Sequence, residues 1–224
     1  MKNLLISIFI ISSFTACKKY VKPDPVVVVP PLHNVLVLGN SITYAPANPS
    51  IGWNGSWGMA ASVADSDYVH LLTARFKSMN KANELTAKNI AEFEISFDTY
   101  DFDLNLKSYR DVKPDIIIIR IGENVTRNAD SVLFEKKYVA LINYFTVANP
   151  KVKILAVGSV WPERDMANKV MSKYSTFISL VYLQNDLSNF SFGLFPDPSI
   201  ESHPSDKGMR NISDQIWTAV QKML

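Results

Sequence analysis

Four consecutive isoleucines, Ile116 to Ile119, introduced by Pro114-Asp115, constrain this chain more than any other stretch. Branched side chains favour extended backbone. An apolar run without polar alternation fits a strand covered on both faces, as in a parallel sheet. A chain with such a strand must supply apolar layers above and below it. The rest of the sequence does so. Residues 34–38 (NVLVL), ending at Gly39, and residues 152–157 read as further buried strands, and residues 90–97 alternate loosely as another. In 67–79, helical spacing puts Val69, Leu72, Phe76 and Met79 on one face. Residues 132–148, closed by Asn149-Pro150, residues 164–178 and residues 205–223 are the other helices expected, the last with Ile212, Ile216, Val220 and Met223 on one stripe. Residues 180–183 read as a final short strand. Alternating strands and helices imply a parallel sheet with helices on both faces, in one domain over 34–224. Such a sheet takes its ligand at the carboxyl ends of its strands.

Charge and cysteine content narrow the chemistry. The formal net charge is +2, from 23 Lys+Arg against 21 Asp+Glu, without the basic surplus of a nucleic-acid binder. One cysteine leaves no intrachain disulfide framework and no Cys-rich zinc site, and three histidines are few for a multi-His centre. No metal or cofactor is expected. Residues 1–16 have a basic start at Lys2, an apolar run from Leu4 to Ile11 and a small-residue end, too short to span a bilayer and suited to a secretory signal. Cys17 follows Phe14-Thr15-Ala16 directly, which resembles the lipobox of bacterial lipoproteins, with Phe14 where Leu is usual. The resemblance implies that Cys17 is lipidated, anchoring an exported protein to a membrane on its periplasmic or cell-surface side. The alternative is an ordinary signal peptide beside an incidental cysteine. Residues 17–33, broken by Pro23, Pro25, Pro30 and Pro31, read as an extended tether, or as an edge strand at Val26 to Val29.

Three loops carry reactive side chains. Gly39-Asn40-Ser41 leaves the first strand and places a hydroxyl at the mouth of the sheet, where a nucleophile would need a base and oxyanion donors; it also reads as a plain turn. Gly122-Glu123-Asn124 follows the isoleucine strand, with an amide able to serve an oxyanion or to cap the next helix. His203 precedes the last helix. Of the other histidines, His33 adjoins the tether and His70 lies within a helix, so His203 is the best candidate for a base, set against a solvated loop histidine.

Taken together, these blocks resemble the SGNH (GDSL-type) hydrolases over essentially the whole span from Val35 to the C-terminus. Gly39-Asn40-Ser41 is similar to the family's first block, with Asn40 where Asp is common. Trp57-Gly58-Met59 is similar to its glycine block, Gly122-Glu123-Asn124 to its Gly-x-Asn block, and His203-Pro204 to its histidine block. The resemblance implies a three-layer α/β/α sandwich with a parallel, flavodoxin-like sheet. It also implies Ser41 as nucleophile, His203 as base, and the Ser41 N–H, the Gly58 N–H and Asn124 as oxyanion donors, with Gly52 and Gly55 competing for the glycine's role. One position departs. The family carries Asp three residues before the histidine, and Ile200 stands there, which leaves a backbone carbonyl, Glu201 or Asp197 to orient His203, or a Ser-His dyad. Trp53, Trp57 and Trp161 suit aromatic platforms for a sugar, or plain packing. The resulting expectation is a serine esterase deacetylating carbohydrate, acting on a small-molecule or polysaccharide ester. The alternatives are a non-catalytic, lipid-anchored glycan-binding protein and a lipase or thioesterase of the same fold.

Overall fold

The computed structural model describes residues 33–224, so the expected signal segment, Cys17 and the tether up to residue 32 lie outside the described residues. The isoleucine run forms the central strand β3 (Ile116–Arg120), flanked by β1 (Asn34–Gly39) and β4 (Lys153–Val157). The edges are β2 (Glu84–Asn89), beside β1, and β5 (Thr176–Ile178), beside β4. Every pairing is parallel and the order is β2-β1-β3-β4-β5, the flavodoxin-like arrangement.

Alternation along the strands sorts side chains into two layers. Ile116 and Ile118 join Val35, Val37, Leu155 and Val157 on one face. Ile117 and Ile119 join Leu36, Leu38 and Ala156 on the other. The first face is covered by helices α1 (Tyr68–Met79) and, at the end of the chain, Asp206–Gln221. The second is covered by α2 (Ala91–Ile95), α3 (Phe102–Asp111), α4 (Ser131–Thr146) and α5 (Asp165–Tyr174). A four-residue helix, α6 (Pro198–Glu201), precedes the closing helix, which is α7. All four isoleucines are buried. Truncating any one of them to alanine is expected to cost about 2–5 kcal/mol.

Three segments differ from the sequence reading. The strand expected at 90–97 lies at Glu84–Asn89, because this edge strand is largely polar and half-exposed and shows no apolar signature. Its successor bears Ile90, Phe93 and Phe97, buried at a helical spacing of three and four, and folds as the short α2. The helix expected over 164–178 ends at Tyr174, where the β-branched Thr176 and Ile178 begin β5. Residues 180–183 are therefore not the last strand; Val181–Asn185 is a 3-10 turn that buries Leu183.

Candidate active site

The loops after β1 and β3 and the loop before α7 meet at the carboxyl end of the sheet. The Asn40 carbonyl accepts the N–H groups of Thr43 (2.9 Å) and Tyr44 (3.0 Å), which closes a turn and lifts Ser41 to its apex. Ser41 Oγ lies 2.7 Å from His203 Nε2. Among the described residues the Ser41 N–H has no hydrogen-bond partner. The His203 loop is held by His203 N–H to the Ile200 carbonyl (2.9 Å) and by Ser191 N–H to the His203 carbonyl (3.0 Å). The Trp161 ring packs edge-on against the imidazole, 5.7 Å between centroids, and its Nε1–H donates to the Ser202 carbonyl (2.9 Å).

His203 is 5% exposed, and burial pushes its pKa down to about 4. The Ser199 carbonyl and then the Glu123 carboxylate oppose that shift. The Ser199 carbonyl nevertheless stays outside hydrogen-bond geometry, and the buried Nδ1 has no hydrogen-bond partner among the described residues. Neither carboxylate considered from the sequence is bonded to it. Asp197 caps α6 through the Ser199 N–H (2.8 Å) and hydroxyl (2.6 Å), and Glu201 accepts the Gly193 N–H (2.7 Å). Ile200 is fully buried in an apolar cluster with Ala45, Trp53 and Ala60. His70 is paired with Asp67 on α1.

On the other side of Ser41 lies a buried polar network. Arg120, at the end of β3, is fully buried and donates to both oxygens of Glu123 (2.6 and 3.3 Å) and to Asn40 Oδ1 (3.2 Å). Asn40 Nδ2 donates to Glu123 (2.7 Å) and to Glu94 Oε1 (3.3 Å). Asn124 Nδ2 donates to Glu94 Oε2 (2.8 Å), and its backbone N–H to Oε1 (3.3 Å). An amide nitrogen carries two hydrogens, so one on Asn124 remains for a substrate. Burial favours the neutral form of Glu123, yet Arg120, Asn40 and the Val160 N–H together hold its carboxyl below the usual range. Glu94 moves the other way, to about 7, through burial and then the negative charge of Glu123. Gly122 has a φ of +130°, a conformation suited to glycine, which turns the chain so that its N–H also meets Glu94. The sequence reading named Asn124 but neither Arg120 nor Glu94. A charge ending a run of four isoleucines was the available signal for Arg120. Glu94 gave none, because its segment read as a strand.

Gly58 sits against the Ser41 turn, where a Cβ would come within 2.6 Å of the Ile42 carbonyl oxygen. Its N–H donates to Asp67 Oδ2 (2.9 Å), so that donor is occupied by a carboxylate. The neighbouring Met59 N–H donates to the Ser41 carbonyl (2.9 Å). One residue on, buried Ala60 adopts φ +73°, costly for a residue with a side chain, and among the described residues its N–H is without a partner. Gly55 is packed against the rings of Trp53 and Trp57, and Gly52 ends a 3-10 turn in the left-handed region. Trp53 is buried and bonded to the Ala45 carbonyl, and Trp57 is bonded to the Ala61 carbonyl. Trp53 and Trp57 line a shallow cleft of about 350 Å³ with Phe195, and Trp161 lines another, of about 450 Å³, with Arg127, Arg164, Phe190, Phe192 and Ser202. Among the described residues no group of three or more His, Cys, Asp or Glu is placed to hold a metal ion.

No protein-family model matches the sequence, and no curated protein matches it. Solved structures do match by fold. A two-domain esterase active on acetylated mannans superposes with a TM-score of 0.55 at 18% identity, over 85% of this chain and 49% of that one. The chain thus spans about half the length of that esterase. A carbohydrate esterase family 3 protein from Talaromyces cellulolyticus gives 0.57 at 14% identity, over 86% of this chain and 98% of its own. A GDSL-like lipase from Bacteroides ovatus gives 0.52 at 15%, over 86% and 100%. At these identities the likeness is one of fold: the chain shares the α/β fold of these hydrolases.

Proposed function

We propose that the protein is a serine esterase, with Ser41 as nucleophile and His203 as base, and that it removes acyl groups, acetyl above all, from carbohydrate. The observation that carries this reading is the 2.7 Å approach of Ser41 Oγ to His203 Nε2 at the carboxyl end of the sheet. In the reaction, Ser41 Oγ attacks the ester carbonyl carbon while Nε2 takes its proton. The carbonyl oxygen becomes an oxyanion, received by the Ser41 N–H and the free hydrogen of Asn124 Nδ2. Collapse of this intermediate expels the alcohol, which takes the proton back from Nε2. Water, activated by the same nitrogen, then releases the acid and restores Ser41. In the glycine block the Gly58 N–H is already bonded to Asp67, which leaves the unpartnered Ala60 N–H as the candidate for a third donor.

Burial keeps the His203 imidazole neutral, the form that accepts a proton, while lowering its basicity. The fold likeness to esterases acting on glycans supports a sugar ester as substrate, as does Trp161, an indole that packs against His203 and lines a neighbouring cleft. Wild-type protein should hydrolyse p-nitrophenyl acetate, release acetate from acetylated glycans and be labelled by a fluorophosphonate. Ser41→Ala should lose all three. Labelling and hydrolysis that survive the substitution overturn the reading, and cleavage of lysophospholipid in place of glycan acetate moves it to a lipase. A second reading, glycan binding without hydrolysis, is favoured by the His203 Nδ1, which has no partner among the described residues; it predicts binding that survives Ser41→Ala and no turnover by wild type.

We also propose that Cys17 carries the lipid that holds this domain to a membrane, with residues 17–33 as the tether, on the strength of the lipobox-like Phe14-Thr15-Ala16-Cys17. A Cys17→Ser chain should move from the membrane fraction to the soluble fraction; one that stays membrane-bound removes this assignment.

A further inference from the structure

We propose that Glu94 is a positioning residue for the oxyanion hole: its ionised carboxylate fixes the Gly122–Asn124 turn so that Asn124 presents its remaining amide hydrogen to the ester oxygen. The inference rests on the reading of Asn124 as an oxyanion donor. Glu94 is 1% exposed and is delivered by the five-residue α2, an element otherwise engaged in packing Phe93 into the core. Every group bonded to it is a donor: Gly122 N–H, Asn124 N–H, Asn124 Nδ2 and Asn40 Nδ2. A carboxylate accepts from all of these, with both oxygens in use. Protonation turns one oxygen into a donor among donors. The bond that then fails is one of these four, three of which orient Asn124 or its turn. The Glu94 Oε2 bond also decides which end of the Asn124 side chain is nitrogen, because a carboxylate will not face the amide oxygen.

The charges around Glu94 make this bond sensitive to pH. Glu123, from the loop after β3, lies close with its negative charge. Arg120 could offset both carboxylates, but its guanidinium is bonded directly to Glu123 and reaches Glu94 only through Asn40. From α1, the Tyr68 ring lies 6.0 Å below Arg120, and its hydroxyl, bonded to Thr43, is pushed well above its ordinary pKa by burial. His203 stands across Ser41 and stays neutral down to about pH 4. Burial and the Glu123 charge outweigh the donors, so Glu94 takes up a proton near pH 7 while the base does not. The loss of activity on acidification therefore follows Glu94 and its hold on Asn124, not His203.

The test is the pH dependence of p-nitrophenyl acetate hydrolysis in wild type, Glu94→Gln and Glu94→Asp, with the Asn124 side-chain amide followed by 15N NMR. Wild type should lose kcat on acidification with a midpoint near 7, and the Asn124 amide should shift with the same midpoint. Glu94→Gln should lower kcat at pH 8 by on the order of 10- to 100-fold, as expected of a displaced oxyanion donor. It should also move the acid limb down towards the His203 value of about 4. Glu94→Asp, still ionisable, should keep a limb. An unchanged limb or unchanged kcat in Glu94→Gln overturns the proposal. So does an Asn124 amide that ignores pH between about 5 and 8 in wild type, a measurement that survives if Glu94→Gln fails to fold. Should wild type hydrolyse no ester while its Asn124 amide titrates with Glu94, the positioning by Glu94 stands and the esterase reading falls.

Discussion

Ser41 stands between two polar regions built on different principles. Towards β3, one guanidinium, two carboxylates and two asparagines interlock, and the carboxylate oxygens of Glu94 and Glu123 are matched by donors, with Arg120 Nε left without a partner among the described residues. Towards α7, His203 has one bonded ring nitrogen and one without a partner among the described residues, and is held by its backbone and by the edge-on Trp161. The difference follows where charge develops. On the proposed esterase reading an oxyanion forms on the substrate, and donors fixed before the reaction need no reorganisation when it appears. A base must be neutral and aimed before it takes the proton. Burial secures the first, and the Ile200 and Ser191 backbone bonds secure the second.

The comparison breaks most directly at Asn124. If the ordered region exists to receive charge, Asn124→Ala should lower kcat by about 10²–10³-fold with KM nearly unchanged, the behaviour of a donor that acts in the transition state. Steady-state kinetics on p-nitrophenyl acetate would show it. A rise in KM at constant kcat would mean that the region holds the substrate's ground state, and the contrast with the His203 side would then lose its mechanistic meaning.

The two regions were also unequally legible in the sequence. The central strands announce themselves because four isoleucines can be accommodated only between two apolar layers. A parallel sheet then brings the loops bearing Ser41, Asn124 and His203 to one end whatever their distance along the chain. That logic fails where burial is partial. The edge strand β2 is polar and half-exposed, and the apolar signal beside it comes instead from Ile90 to Phe97, whose spacing belongs to a helix. Read as a strand, that stretch hides Glu94, since only a helix at Ala91–Ile95 carries its side chain into the core. Ala60 was equally hidden, because no residue pattern marks an alanine held at φ +73°. Gly58, chosen as the glycine of its block, serves the close approach of the Ile42 carbonyl while its N–H is bonded to Asp67.

A smaller effect sharpens the other half of the comparison. If the His203 side lacked only its acid, Ile200→Asp should restore a three-residue spacing and raise ester hydrolysis. The packing argues otherwise. Ile200 points into the cluster of Ala45, Trp53 and Ala60, and α6 has already committed Asp197 to its own cap. An aspartate there forfeits apolar contacts and buries a carboxylate without a donor, at a cost of about 3 kcal/mol or more. In a domain of this size that is a fall in Tm of roughly 6–12 °C, measurable by calorimetry. Activity at temperatures below unfolding should not rise. A carboxylate that did reach Nδ1 would declare itself in two ways: it would raise the His203 pKa from about 4, and it would increase kcat. Either result would mean that the bare nitrogen is a missing partner, and that the two sides of Ser41 follow one principle after all.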